Sequence, residues 1–194
     1  MSEPTIDRRE LLAKLIPNPD DYLIISGLAG AARDAAALTE DGDNLFTMAG
    51  AMGAAVSMGL GVAMSAPDRQ VLVITGDGEL MMNMGGLATA ASAAPKNLSI
   101  ICIDNGVHAE TGGQKGHTSR GTDLALVAQG TGLTSVMKVT NDTEIDEAAK
   151  FLTGSAAPRF LLVKVTDGPP ASYKRNMNPT ACRIRFRNAY MASA

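Results

Sequence analysis

Two rhythms of apolar and polar positions alternate along the chain. Short runs dense in Val, Ile and Leu ("YLIIS", "VLVITG", "LSIICID", "FLLVKV") are separated by longer stretches whose apolar residues recur at helical spacing. "RRELLAKLIP" reads as an amphipathic helix stopped by Pro17. "DYLIISG" predicts a strand ending at Gly27, followed by an Ala-rich helix to Leu38. "DGDNLFTM" predicts a turn and a short run, and a small-residue helix follows from about Gly53 to Ser65. "RQVLVITGDG" has the β-branched density of a strand buried on both faces. One helix is expected over 79–92, then a strand in "NLSIICIDN" and a Gly-rich loop. The rest reads as helix "DLALVAQGTG", strand "SVMKVT", helix "NDTEIDEAAKFLTG" and strand "PRFLLVKVTDG". Asn178 as cap and Pro179 at the first helical position open a final helix.

This alternation predicts one three-layer α/β domain over residues 1–194 with a mostly parallel sheet. An N-terminal helix is expected within 1–20 and a tail helix within 172–194. Met81, Met82 and Met84 read as core filler.

Charge changes the picture little. The net charge of −3 and pI near 5.4 point to neither a nucleic-acid nor a membrane surface. Cys102 and Cys182 form no metal or redox spacing, which suits a reducing, cytoplasmic setting. The first twenty residues contain acids and no apolar core, unlike a signal peptide. Residues 44–67 carry no charge, but their Gly, Ala, Ser and Met content suits a closely packed helix better than a membrane span.

The chemistry concentrates in "GDGELMMNMGGLATAASAAPKNLSIICIDNG". A strand–helix–strand crossover leaves its two strands parallel, so Asp77 and Asn105 emerge at the same, carboxyl edge of the sheet. Ligands bind at that edge in open α/β sheets. A carboxylate and an amide oxygen there suit a hard cation such as magnesium, whose remaining positions take water and phosphate oxygens. Gly76 and Gly78 permit close backbone approach, and a helix starting near Glu79 offers N–H groups to an anion. Asp-Gly and Asn-Gly are also common turn pairs; their placement at matching strand ends favours the site.

"GDG" followed by the Asn of "IDNG" resembles the diphosphate motif of thiamine-diphosphate enzymes, in their cofactor-binding PP domain. The resemblance implies thiamine diphosphate and Mg2+, with Asp77, Asn105 and the Val107 carbonyl as metal ligands. It implies that "AGAMGAA" sets Gly50, Ala51 and Met52 against the cofactor, Met52 as the apolar wedge, with Gly53 allowing close helix packing. "MAGAMGAAVSMGLGVAM", "ETGGQKGHTS" and the tail "RIRFRNAY" narrow the likeness. They resemble the family of sulfopyruvate decarboxylase β chains and the C-terminal domains of phosphonopyruvate decarboxylases, from about Tyr22 to Tyr190. The family usually reads Gly-Ser-Met-Gly where this chain has "GAMG", and its early loop differs from "GLAGAARDAAAL".

Such enzymes also need a Pyr domain, whose Glu activates the cofactor, and no second sheet of that size fits in 194 residues. The resemblance therefore implies a separate α chain, an active site between chains near Gly50–Gly61, and a hetero-oligomer with more than one copy of each. The substrate implied is a small anionic 2-oxo acid. His108, Glu110, Gln114 and His117 are the candidate catalytic residues, with Thr118 a further hydrogen-bond partner and Lys115 and Arg120 candidate countercharges. Arg183 and Arg187 share a helix face that is solvated, in contact with the α chain, or anion-binding. Two other readings stand: half of a thiamine-dependent carboligase of the acetolactate synthase type, and a flavodoxin-like binding module.

Overall fold

The computed structural model describes residues 3–192; Met1, Ser2, Ser193 and Ala194 of the two expected terminal segments lie outside the described residues. The first helix is α1 (Arg8–Leu15), with Asp7 accepting from the Arg9 amide as its cap. Next come β1 (Tyr22–Ser26), α2 (Ala29–Thr39), β2 (Leu45–Thr47), α3 (Ala55–Ser65) and β3 (Gln70–Gly76). The centre holds α4 (Asp77–Met82), α5 (Gly85–Ala93) and β4 (Leu98–Asp104). A small antiparallel hairpin, β5 (Val107–His108) with β6 (Gln114–Lys115), follows where a loop was expected. The chain ends with α6 (Leu124–Gly130), β7 (Ser135–Val139), α7 (Ile145–Gly154), β8 (Arg159–Lys164) and α8 (Pro179–Met191).

Six parallel strands form the sheet in the order β2-β1-β3-β4-β8-β7. The period of two along each strand sends alternate side chains to opposite faces, and both faces are covered. Leu23, Ile25, Val73, Ile100 and Leu162 meet α3, α5 and α6 on one side. Ile24, Leu72, Ile74, Ile101 and Val163 meet α1, α2 and α7 on the other. The result is the expected three-layer α/β architecture.

The small residues of α3 serve this packing. A Cβ on Gly59 would lie 2.2 Å from Val73 Cγ2, so glycine lets α3 lie close on β3, while Gly61 faces open space. Among the described residues no helix is long and apolar enough to cross a membrane.

Two expectations need correction. The helix expected over 79–92 is two helices, broken at Asn83 and Met84; Asn83 turns its side-chain amide to the Gly53 carbonyl at 3.1 Å. Met82 is 63% exposed and is not core filler, whereas Met81 and Met84 do pack against the core. At the tail, Asn178 accepts from the Thr180 and Ala181 amides as a cap should, and α8 lies beside β2, with Phe186 edge-on to Phe46 at 5.7 Å. Arg183 and Arg187 are both exposed.

Candidate functional site

β3 and β4 are neighbours, with Gly76 opposite Ile103, so Asp77 and Asn105 leave the sheet side by side at its carboxyl edge. They open on a cleft of about 390 Å³ walled by the β1–α2 loop, the start of α4 and the β4–β5 turn. Met52, Gly76, Asp77, Gly78, Glu79, Asn105, Val107, His108 and Glu110 all line it. Gly50 and Ala51 are exposed beside Met52 and do not. Gln114 and His117 also lie off the cleft: both are exposed, and Gln114 bonds back to Thr111 within its own hairpin.

Asp77 begins α4 and is 5% exposed. Burial pushes its carboxyl up to about 6, with the nearby Asp104 carboxylate adding to the rise and a hydrogen bond from Thr118 opposing it. Asp104, which sequence reasoning passed over, is 1% exposed. Its Oδ2 is paired with Lys164 Nζ at 2.8 Å, and its Oδ1 accepts from the Gly106 amide at 2.9 Å and the Thr118 hydroxyl at 2.8 Å. The same hydroxyl lies 3.2 Å from Asp77 Oδ2. Lys164 thus pairs with Asp104, and among the described residues no cation pairs with Asp77 at the edge of the cleft.

The "HTS" segment closes over these acids. Gly116 donates its amide to the Gly106 carbonyl at 2.6 Å, and Ser119 donates to the same oxygen at 2.7 Å. A Cβ on Gly116 would stand 3.0 Å from that carbonyl and 3.3 Å from Asp77 Oδ2, so only glycine fits. Thr118 is therefore spoken for by Asp77 and Asp104, not by a substrate. Asn105 Oδ1 faces the Val107 amide at 3.4 Å, an Asx turn that sets the amide oxygen beside the Val107 backbone. One carboxylate, one amide oxygen and one backbone carbonyl make an all-oxygen donor set, and the uncompensated charge of Asp77 fits a hard cation there.

Glu79 also departs from a plain cofactor contact. It is 5% exposed; Oε2 accepts from the Leu28 amide at 3.0 Å and from the Thr75 hydroxyl at 3.1 Å, and the Gly53 backbone amide also bonds to the carboxylate. Burial raises its pKa, against these hydrogen bonds. Its carboxylate occupies the space a Cβ on Gly27 would need, the reason the strand must end in glycine. His108 sits on Gly78, whose absent Cβ would be 3.1 Å from Nδ1, and its ring is 6.3 Å from that of His117.

Arginines reach the cleft from distant sequence. Arg8 and Arg175 line it. Arg33 pairs with Glu110 at its rim at 3.1 Å. Lys115 and Arg120, the cations expected from sequence, are exposed and do not line it.

Residues 31–165 match the family model for the thiamine pyrophosphate enzyme C-terminal TPP-binding domain. Sulfopyruvate decarboxylase subunit beta of Methanocaldococcus jannaschii is 37% identical over 96% of this chain and 98% of its own. Phosphonopyruvate decarboxylase of Streptomyces viridochromogenes is 36% identical over 91% of this chain, which spans only 43% of that relative. A Mycobacterium smegmatis protein described as thiamin diphosphate-dependent shares the fold, with a TM-score of 0.64 at 20% identity over 81% of this chain and 31% of its own.

Proposed function

The chain belongs to the thiamine pyrophosphate enzyme family, through its C-terminal TPP-binding domain, and on that premise we propose that it is the cofactor-binding β subunit of a 2-oxo-acid decarboxylase. The substrate class is a sulfonated or phosphonated pyruvate, and the products are the matching aldehyde and carbon dioxide. The names of the two relatives support this class. The observation that carries the reading is the pairing of Asp77 with Asn105 and Val107 across adjacent strand ends, beside a charge that lacks its counter-ion.

Asp77, Asn105 and the Val107 carbonyl would hold Mg2+, and Gly76 and Gly78 leave room for a diphosphate. When bound, thiamine diphosphate supplies the carbon nucleophile and the electron sink that loss of carbon dioxide requires. The chain's own part is to position and to move protons. Met52, half-exposed on the cleft wall, presents an apolar surface to the ring system. His108, held on Gly78 at the cleft wall, would deliver a proton to the product carbon. Glu110 is tied to Arg33 and orders the rim. The activating Glu of a Pyr domain would come from a separate α chain, as the β-subunit name of the relative suggests. Exposed Met52 and Met82, beside Ala51 and Gly53, offer that chain an apolar contact.

The experiment is a calorimetric titration with thiamine diphosphate and Mg2+, using the chain together with any subunit that co-purifies. Asp77→Asn should weaken binding about 100-fold, the loss of roughly 3 kcal/mol of charge attraction. Its melting temperature should stay level or rise, because a buried charge is removed. Chelation of Mg2+ should mimic the variant. Equal affinity in wild type and variant would refute the metal assignment, and product analysis with an added aldehyde would separate a decarboxylase from a carboligase.

A further inference from the structure

The three arginines around the cleft are not equivalent. Arg8 is 7% exposed and committed to Asp34, with hydrogen bonds of 2.9 Å from Nε and 2.6 Å from Nη2. Arg33 is committed to Glu110. Arg175 is half-buried and lines the cleft, and among the described residues no group pairs or hydrogen-bonds with its guanidinium. Burial and the like charge of Arg33 both lower its pKa; Glu110 and Asp41 pull the other way without reaching ion-pair distance.

The backbone that carries Arg175 is fixed on both sides. Before it, the Ala171 amide donates to Asp34 Oδ1 at 2.8 Å, the other oxygen of the carboxylate that holds Arg8. After it, the Asn176 amide donates to Asp41 Oδ2 at 2.6 Å, just past the end of α2. Tyr173 packs into the apolar cluster beneath. An irregular segment is thus pinned along α2, and it brings an unpaired cation to the wall of a cleft. A guanidinium removed in part from water and left without a carboxylate is costly unless a ligand completes it.

We propose that Arg175 binds the acid group of an anionic ligand in this cleft, a tetrahedral phosphate, phosphonate or sulfonate. Its fork of N–H donors matches two oxygens of such a group at once. This deepens the decarboxylase reading, on which it rests: the oxyanion is either the cofactor's diphosphate or the second acid of the substrate. In either case Arg175 takes the place that sequence reasoning gave to Lys115 and Arg120.

The test titrates wild type, Arg175→Gln and Arg175→Lys with two probes by calorimetry, again with any co-purifying subunit. One probe is phosphonoacetate, which carries a phosphonate and a carboxylate; the other is thiamine diphosphate with Mg2+. Arg175→Gln should weaken at least one probe by about 10- to 100-fold, and Arg175→Lys should recover part of the loss. A loss confined to phosphonoacetate assigns the residue to the substrate's second acid, and one confined to thiamine diphosphate assigns it to the diphosphate. Unchanged affinity for both overturns the proposal, even when tight cofactor binding upholds the family reading. Phosphonoacetate binding that needs Arg175 in a chain without cofactor affinity would do the reverse, keeping the residue's role and sinking the decarboxylase. If wild type binds neither probe, the proposal fails. A thermal melt of each variant guards against misfolding, and loss in Arg175→Gln with recovery in Arg175→Lys at equal stability is the supporting pattern.

Discussion

At the amino end of the sheet Asn97 and Arg159 are buried, and at the carboxyl end Asp77, Glu79 and Asp104 are. The amino-end groups find backbone oxygens. Asn97 turns its amide nitrogen to the carbonyls of Ala63, Ala66 and Arg69 at 3.1, 2.9 and 2.7 Å, collecting the free end of α3. Arg159 donates to the Ser155 carbonyl at 2.6 Å and the Ser99 hydroxyl at 3.2 Å. At the carboxyl end acid faces acid, and the lysine there pairs with Asp104 and not with Asp77. Asn97 and Arg159 spend their donors on the fold itself, whereas the acids at the cleft are left for a ligand to complete.

The sharpest way to break this contrast is Lys164→Met. It strands Asp104, 1% exposed, without the lysine paired with it and should cost about 3 kcal/mol in denaturant unfolding. Adding Asp104→Asn should return most of that loss, since the stranded charge goes with it. At the other end, Asn97→Ala should cost about 2 kcal/mol by leaving the α3 carbonyls unpaired, with no effect on cofactor affinity. A third and smaller effect tests a surface acid of ordinary structural kind. Glu144 accepts from the Thr140 and Asn141 amides, each at 2.8 Å, and these bonds hold its pKa below the usual carboxylate value. A lowered pKa stabilises the fold above the unfolded carboxylate range, and the gain disappears as pH falls through the folded value. Glu144→Gln should therefore lower the unfolding free energy at pH 7 by less than about 1 kcal/mol, and the gap from wild type should close as pH falls through the acid range.

The strands of the sheet, and the shared edge of Asp77 and Asn105, were legible because local rules decide them. Continuous β-branched runs mark buried strands, and a crossover puts Asp77 and Asn105 at the same edge; that their strands are neighbours only the folded sheet shows. Asp104 escaped notice because it reads as one more strand residue; its partners Thr118 and Lys164 lie 14 and 60 positions on, and only the packed sheet assembles them. Arg175 was invisible for the same reason, since its place depends on a tail pinned to Asp34 and Asp41. The split between α4 and α5 left little mark in an Ala- and Met-rich stretch with good helix propensity, because the break comes from Asn83 reaching Gly53. Gln114 and His117 were grouped with His108 by nearness in sequence, and the β5–β6 hairpin carries them away from the cleft.

The bond from Glu79 to the Leu28 amide joins two walls of the cleft that leave the sheet from different strands. A loop stitched down in this way has surrendered its conformational entropy during folding, before any ligand arrives. The cost of ordering falls on the stability of the protein and is absent from the binding constant. The same stitch means that moving one wall away from the other has to break this bond first.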